Sequence, residues 1–241
     1  MEQNTLKDKI RGSLMAGAAG DALGYEVEFM SRRAILSRFG EQGITKFALD
    51  NDGKALISDD TQMTLFTANG MLMGLTRGYM RGIGGRPENY VMEAYLDWYY
   101  TQTGRKREML INDWHPTWLR DLPEMAQLRA PGNTCLSACE SIFRNEEVNN
   151  NSKGCGGIMR VAPMALLDAG YASRNKNGYI FCPEGKKLEE TLELSEIILA
   201  LADDLSTGCI ISEYDPIDTP EKRQWYERYC MMQPVGIHCK R

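Results

Sequence analysis

The sequence predicts an all-α fold in a single domain, and two patterns support that prediction. Apolar residues recur at three- and four-residue spacing in several segments, which places them along one face of a helix. The alternation of apolar and polar residues that marks a half-buried strand is not sustained, and GYIFC (178–182) is the single short candidate. We therefore expect many short, variously crossed helices packed around one core over residues 1–241.

Each helix is predicted from its own apolar stripe. The first stripe, Leu6, Ile10 and Leu14, runs into the small residues of AGAAGDALG, where two backbones can approach closely. The later stripes are Leu65, Ala68, Leu72 and Leu75; Tyr90, Ala94 and Trp98; residues 136–142; and Leu194, Ile198, Leu201 and Leu205. Thr219 and Pro220 have the N-cap and N1 character that begins a last helix.

Composition narrows the classes of function. The 241 residues are 43% hydrophobic and 25% charged, as in globular proteins, and no segment has the ~18 apolar residues of a membrane span. The net charge of −5 and the lack of a dense Lys/Arg run argue against a nucleic-acid partner. The first residues lack the apolar core of a signal peptide, so a cytoplasmic protein is expected.

Cysteine and histidine usage restricts the possible metal sites. The seven cysteines form no CxxC pair, and Cys135 and Cys139 have the helical spacing of two side chains buried on one face. Reduced thiols are therefore expected rather than disulfides or a zinc site. Because the chain has two histidines, a histidine-rich metal centre is excluded.

The segment SDDT (58–61) allows two interpretations. Ser58 is a favoured N-cap, and acids in the first turn, here Asp59 and Asp60, complement the helix dipole by ~0.3–1 kcal/mol each. Two adjacent carboxylates nevertheless repel each other, and their oxygens converge with the Ser58 hydroxyl on a small volume, as Mg²⁺ or Ca²⁺ requires. On chemistry alone, a helix start and half of a metal site are equally open.

Two glycine-rich stretches accompany this segment. GDALGYEVEF (20–29) places the acids Asp21, Glu26 and Glu28 after the first helix. These side chains could face a pocket or lie in a solvated loop, and for Glu26 the solvated loop is the preferred interpretation. In SKGCGGIMRVAPMAL (152–166), glycines could free backbone N–H groups for an anion just before a helix, although a lone glycine loop is more often a plain connector. Arg160 is expected in the first turn of that helix. The loop lacks the P-loop pattern, and without a histidine nearby in sequence Cys155 is a poor candidate nucleophile.

Four ordered motifs together resemble the ADP-ribosylglycohydrolase family. They are RGSLMAGAAGDALGYEVEF, ISDDTQMTLFTANGML, RAPGNTCLSA (129–138) and GCGGIMRVAPMALL, and they lie within residues 10–170. The resemblance implies an all-α domain that removes ADP-ribose from modified side chains or related acceptors and uses two Mg²⁺ ions.

The resemblance also implies roles for particular residues. Ser58, Asp59 and Asp60 match the first trio of metal ligands of the family, and Glu28 matches the glutamate that acts near the scissile bond. The loop that holds the ADP-ribose corresponds to Gly154, Cys155, Gly156, Gly157, Met159 and Arg160, and relatives often have Asn at the position of Cys155.

One departure from the family concerns the second set of metal ligands. Relatives carry D-x-D-[ST] on a late helix, whereas this chain has D-x-D only at Asp50–Asp52, in an expected turn. Residues 171–192 offer mostly polar linker where relatives have several helices, so we expect an internally shortened chain with one Mg²⁺ site. Two hypotheses follow: an Mg²⁺-dependent hydrolase of ADP-ribosyl linkages, or an ADP-ribose-binding protein impaired in catalysis.

Overall fold

The computed structural model of the protein describes residues 3–81, 87–105, 117–152, 154–172 and 198. These residues form six α-helices, two short 3-10 helices and no β-strand, with one isolated antiparallel bridge between Leu49 and Ala55. The prediction of an all-α fold is therefore confirmed. The short strand at 178–182, the stripe at 194–205 apart from Ile198, the helix from 219 and the linker from 173 to 192 lie outside the described residues.

The helices follow one another along the chain, with α3 at their centre. They are α1 (Gln3–Tyr25), α2 (Arg32–Phe39), α3 (Asp59–Arg81), α4 (Pro87–Thr103), the 3-10 helices η1 (Trp118–Asp121) and η2 (Pro123–Ala126), α5 (Asn133–Phe143) and α6 (Ala162–Ala172). None of the described helices is long and apolar enough to cross a membrane. α3 packs most extensively against α4 and also contacts α1 and α6.

The apolar stripes predicted from the sequence form the core. In α1, Leu6, Ile10 and Leu14 are buried, and the same four-residue spacing continues through Ala18 and Ala22. The core also contains residues from the predicted stripes of α3 and α4, namely Leu65, Ala68, Leu72, Ala94 and Trp98, together with Ile198. Apolar burial at helical spacing therefore accounts for how these helices pack.

The two cysteines of α5 are buried, as their spacing predicts. Cys135 and Cys139 are both free thiols on one face of the helix. Burial raises the pKa of Cys139 to about 12, so this thiol stays protonated at neutral pH. Both residues therefore pack as small apolar side chains.

Two glycines allow α3 and α4 to approach closely. A Cβ at Gly70 would lie 2.7 Å from the Cβ of Ala94 and 2.8 Å from the carbonyl oxygen of Tyr90. A Cβ at Gly74 would meet the ring of Tyr90 at 2.5 Å. Because these distances are shorter than real Cβ contacts, this helix pair requires glycine at both positions.

Buried polar groups fix the segments that follow α4. The carboxylate of Asp97 accepts hydrogen bonds from the backbone N–H and the hydroxyl of Thr117, at 3.0 and 2.8 Å. The side chain of Gln62 accepts from Trp98 Nε1 at 3.2 Å and donates to the carbonyl of Gln127 at 2.9 Å. Since buried polar groups are costly when unpaired, the Gln62 bonds hold the chain just before residue 129 against the first turns of α3.

Candidate functional site

The first turn of α3 is a capped helix N-terminus. The hydroxyl of Ser58 accepts a hydrogen bond from the N–H of Asp60 at 3.2 Å, and the carbonyl of Ser58 accepts from the N–H of Gln62 at 3.4 Å. α3 begins at Asp59, so both aspartates lie in its first turn. The helix-start interpretation is therefore correct, and the cation-site interpretation stays open because capping leaves carboxylate oxygens available.

Asp21, near the C-terminal end of α1, accepts hydrogen bonds from the residues at the start of α3. Its Oδ1 accepts a hydrogen bond from Ser58 Oγ at 2.6 Å, and its Oδ2 accepts from the backbone N–H of Ser58 at 2.9 Å. Oδ2 also accepts from the N–H and the hydroxyl of Thr61, at 3.2 and 2.5 Å. The sequence predicts Asp21 after the first helix, in a solvated loop or a pocket, but α1 extends to Tyr25 and includes it, so the position outside the helix is wrong.

Asp59 turns toward a different segment, the loop before α5. Its Oδ2 accepts a hydrogen bond at 2.9 Å from the backbone N–H of Gly132, which is the N-cap residue of α5. Only 4% of Asp59 is exposed, so this bond pairs a carboxylate that is almost fully removed from water. The motif at 129–138 is thereby connected to the motif at 58–61.

A cleft of about 540 Å³ opens beside these residues, within the range of small-molecule sites. It is bordered by the small residues of α1, by the start of α3 and by the loop before α6. Among the residues predicted for the site, those that line it are Glu28, Ser58, Asp60, Cys155 and Met159. Asp59, Gly154, Gly156, Gly157 and Arg160 are not part of the lining.

Glu28 reaches the cleft from a turn that follows α1. The turn is closed by hydrogen bonds from the N–H of Val27 to the carbonyl of Gly24 at 2.9 Å and from the N–H of Glu28 to the carbonyl of Tyr25 at 3.3 Å. Glu26, two residues earlier, instead forms an ion pair with Arg38 at 2.5 Å. Of these two glutamates, the one that lines the cleft is therefore Glu28.

The acids of the site repel one another. Burial raises the pKa of Glu28, and the neighbouring charges of Asp59, Asp60 and Asp21 raise it further. The pKa of Asp60 is raised by burial and then by Asp21 and Asp59. Burial also raises the pKa of Asp59, against the lowering effect of the Gly132 N–H. The raised pKa values show that keeping these carboxylates ionised so close together costs free energy. Such a cluster is typical of a site that binds a cation or transfers protons.

The glycine-rich loop also borders the cleft and has a tight turn at Cys155. The carbonyl of Cys155 accepts from the N–H groups of Ile158 and Met159, at 2.8 and 3.2 Å. A Cβ at Gly156 would lie 2.9 Å from the Sγ of Cys135, so glycine is needed where the loop packs on α5. The loop is also joined to α3, because the hydroxyl of Thr64 donates to the carbonyl of Met159 at 3.0 Å.

Arg160 differs from its expected position. The sequence predicts it in the first turn of the next helix, but α6 begins at Ala162, so that prediction is wrong. Pro163 lacks an N–H and is tolerated only in the first turn of a helix, which is consistent with a start this late. The guanidinium lies 4.2 Å from the centre of the Tyr95 ring and donates to Met63 Sδ at 3.2 Å.

The donors for a metal ion are oxygens. Ser58 and Asp60 line the cleft, and one oxygen of Asp59 is bonded to Gly132. Within the described part of the chain, no group of three or more His, Cys, Asp or Glu side chains could hold a metal ion by itself. Hydroxyl and carboxylate oxygens nevertheless fit a hard cation such as Mg²⁺, which keeps several waters when protein ligands are few.

Comparison with known proteins gives one match. A family model described as ADP-ribosylglycohydrolase matches residues 2–177 of the 241. No curated protein shows a significant match to the chain. No solved structure shows a significant match either.

Proposed function

The chain belongs to the ADP-ribosylglycohydrolase family, and on that basis we propose that it hydrolyses the glycosidic bond between ADP-ribose and a modified protein or small acceptor. The observation that carries this proposal is that Glu28 and Asp60 line one cleft together with the glycine-rich loop. A carboxylate for proton transfer, an acidic cation site and an anion-binding loop are groups that can carry out such a hydrolysis.

Glu28 is the residue we propose for proton transfer. Cleavage of a glycosidic bond passes through an oxocarbenium-like state, which a water molecule must intercept at the anomeric carbon. Glu28 would position that water, accept its proton as the bond to the acceptor breaks, and return the proton to the departing acceptor atom, so that free ADP-ribose and the protonated acceptor are formed. The raised pKa of Glu28 suits this role, because a carboxyl with a pKa nearer to neutrality is a stronger base.

The start of α3 is the place we propose for one Mg²⁺ ion. Ser58 Oγ and the Asp60 carboxylate on the cleft, together with the carboxylate of Asp59, would supply the oxygens. An ion bound there would orient ribose hydroxyls and assist the ionisation of water. It would also neutralise the repulsion that raises the pKa values of Asp60 and Glu28.

The loop from Gly154 to Gly157 is the place we propose for the diphosphate of ADP-ribose. Backbone N–H groups in a glycine-rich turn before a helix form a concavity that suits an anion. Cys155 and Met159 would contact the ligand directly, because both line the cleft. We propose that Arg160 holds the loop in place, since its guanidinium is stacked on Tyr95.

The test is release of ADP-ribose by the purified 241-residue chain. Peptides modified on arginine or on serine are incubated with Mg²⁺ or with EDTA, and free ADP-ribose is quantified by chromatography. We expect release from at least one acceptor, and we expect Glu28→Gln to slow it by about 10²–10⁴-fold and EDTA to abolish it. Tight binding of ADP-ribose without release from either peptide would refute the hydrolase proposal.

A further inference from the structure

Asp21 connects α1 to the start of α3, next to the place proposed for the cation. Its carboxylate accepts four hydrogen bonds from residues 37 and 40 positions later, two from Ser58 and two from Thr61. Two of these donors are backbone N–H groups at the start of α3, and two are hydroxyls. Asp21 also lines the cleft next to Ser58 and Asp60.

The Ser58 hydroxyl has one hydrogen and two lone pairs to use. The hydrogen is donated to Asp21 Oδ1 at 2.6 Å. One lone pair accepts from the N–H of Asp60 at 3.2 Å. One lone pair is left, on a residue that lines the cleft, and it can be offered to a cation.

We infer that Asp21 is a positioning residue of this site: by taking the hydroxyl hydrogen of Ser58, it keeps a lone pair of Ser58 available for the divalent cation. The inference rests on the proposed function, because it assumes that a cation binds at the start of α3. Asp21 acts through Ser58, as groups behind metal ligands do when they orient those ligands. A helix cap needs acceptors for backbone N–H groups only, so the hydrogen bond from the Ser58 hydroxyl to Asp21 goes beyond capping.

The variant Asp21→Asn distinguishes orientation of the Ser58 hydroxyl from capping of the backbone N–H groups of α3. The amide oxygen of asparagine can still accept from the backbone N–H groups, but its NH₂ group is a donor. Placed opposite Ser58, that NH₂ would occupy the lone pair that the cation needs. We expect the dissociation constant for Mg²⁺, measured by calorimetry, to rise about tenfold or more, as is typical when such a supporting group is changed.

A double-mutant cycle tests whether the effect passes through Ser58. In a Ser58→Ala background, where no hydroxyl is left to orient, Asp21→Asn should change the Mg²⁺ dissociation constant by about twofold or less. Thr61→Val is the matched control, because it removes one hydroxyl bond to Asp21 and leaves the Ser58 contact in place. Circular dichroism and the melting temperature of each variant establish that it is folded, and Mn²⁺ binding followed by paramagnetic resonance provides a second readout.

The outcomes distinguish this inference from the proposed function. An equal loss of affinity in both backgrounds would show that Asp21 acts through its charge or as a direct ligand, and it would overturn the inference while the cation site stands. Wild-type protein that binds neither Mg²⁺ nor Mn²⁺ would overturn the cation site and the inference together. Release of ADP-ribose in EDTA would then show that the hydrolase proposal survives without a cation.

Discussion

Asp59 Oδ2 accepts a hydrogen bond at 2.9 Å from the backbone N–H of Gly132, 73 residues later in the chain. This contact joins the acidic start of α3 to the N-cap of α5. It pairs a carboxylate that is almost completely buried, and it opposes the rise that burial causes in the pKa of Asp59. The orientation of Asp59 is therefore set by a backbone group.

Gly132→Pro should remove this hydrogen bond and push the Asp59 carboxylate aside, because the ring Cδ takes the place of the N–H that lies 2.9 Å from Oδ2. Gly132 has φ −62° and ψ 131°, which proline adopts, but proline has no N–H to donate. We expect a loss of about 1–3 kcal/mol in the free energy of unfolding, measured with urea, because the buried Asp59 carboxylate loses this hydrogen-bond donor. Gly132→Ala is the control: its Cβ would lie 3.6 Å from Asp59 Oδ2, an ordinary contact, and it keeps the N–H. Equal losses in both variants would contradict a role for the N–H.

Glu28→Gln should lower turnover by about 10²–10⁴-fold and leave ADP-ribose affinity largely unchanged, as expected when a proton-transfer group is removed. In the wild type, a base with a raised pKa loses activity as pH falls through that pKa, so the rate should decline on the acid side. Glu26→Gln is the matched control, because Glu26 is paired with Arg38 and does not line the cleft. If the residual activity of Glu28→Gln still declined as pH falls, the base would be a residue other than Glu28.

Asp60→Asn should raise the melting temperature at neutral pH without Mg²⁺. The pKa of Asp60 is raised in the folded protein, so between its ordinary and raised values the folded chain binds more protons than the unfolded chain. Stability therefore falls as pH rises through that window, and the substitution removes this loss. Asp52→Asn, in an exposed turn, removes one charge as a control and should leave the melting temperature unchanged. A lower melting temperature for Asp60→Asn would count against charge repulsion at the site.

Arg160→Ala and Tyr95→Leu should weaken ADP-ribose binding to a similar extent if Arg160 anchors the glycine-rich loop. Both variants remove the stacking of guanidinium on ring, which is worth about 0.5–2 kcal/mol. Tyr95→Phe keeps the ring and removes only the hydroxyl contact with Thr67, so it serves as the control. If calorimetry showed weaker binding for Arg160→Ala alone, Arg160 would be a direct contact to the ligand.

Gly70→Ala should destabilise the fold by about 1–3 kcal/mol, the usual cost of overpacking. The added Cβ would meet the Cβ of Ala94 and the carbonyl of Tyr90, and neither can move without shifting α4. Gly12→Ala, in α1 with nothing within 4 Å of the added Cβ, should instead be neutral or stabilise by up to about 1 kcal/mol. Urea unfolding of the two variants measures both effects. Equal effects would mean that the helix pair is not close-packed at Gly70.

The sequence by itself determined the helical architecture, because helix formation and burial follow a local period. The spacing of Leu6, Ile10 and Leu14 identifies the buried face of α1, and the spacing of Cys135 and Cys139 identifies that of α5. Ser58 likewise marks the start of α3 through capping chemistry that extends over a few residues.

Only the tertiary structure decided which groups meet at the site. Asp21 reaches Ser58 across 37 residues, and Gly132 reaches Asp59 across 73. Such contacts depend on how helices pack and leave no periodic pattern in the chain. The same reason explains why the contacts of Arg160 were not predicted. Its charge suggested an anion site, whereas in the structure its guanidinium lies over the ring of Tyr95. Spacing determines which face of a helix is buried, whereas the partner of a single polar side chain depends on the packing of the whole fold.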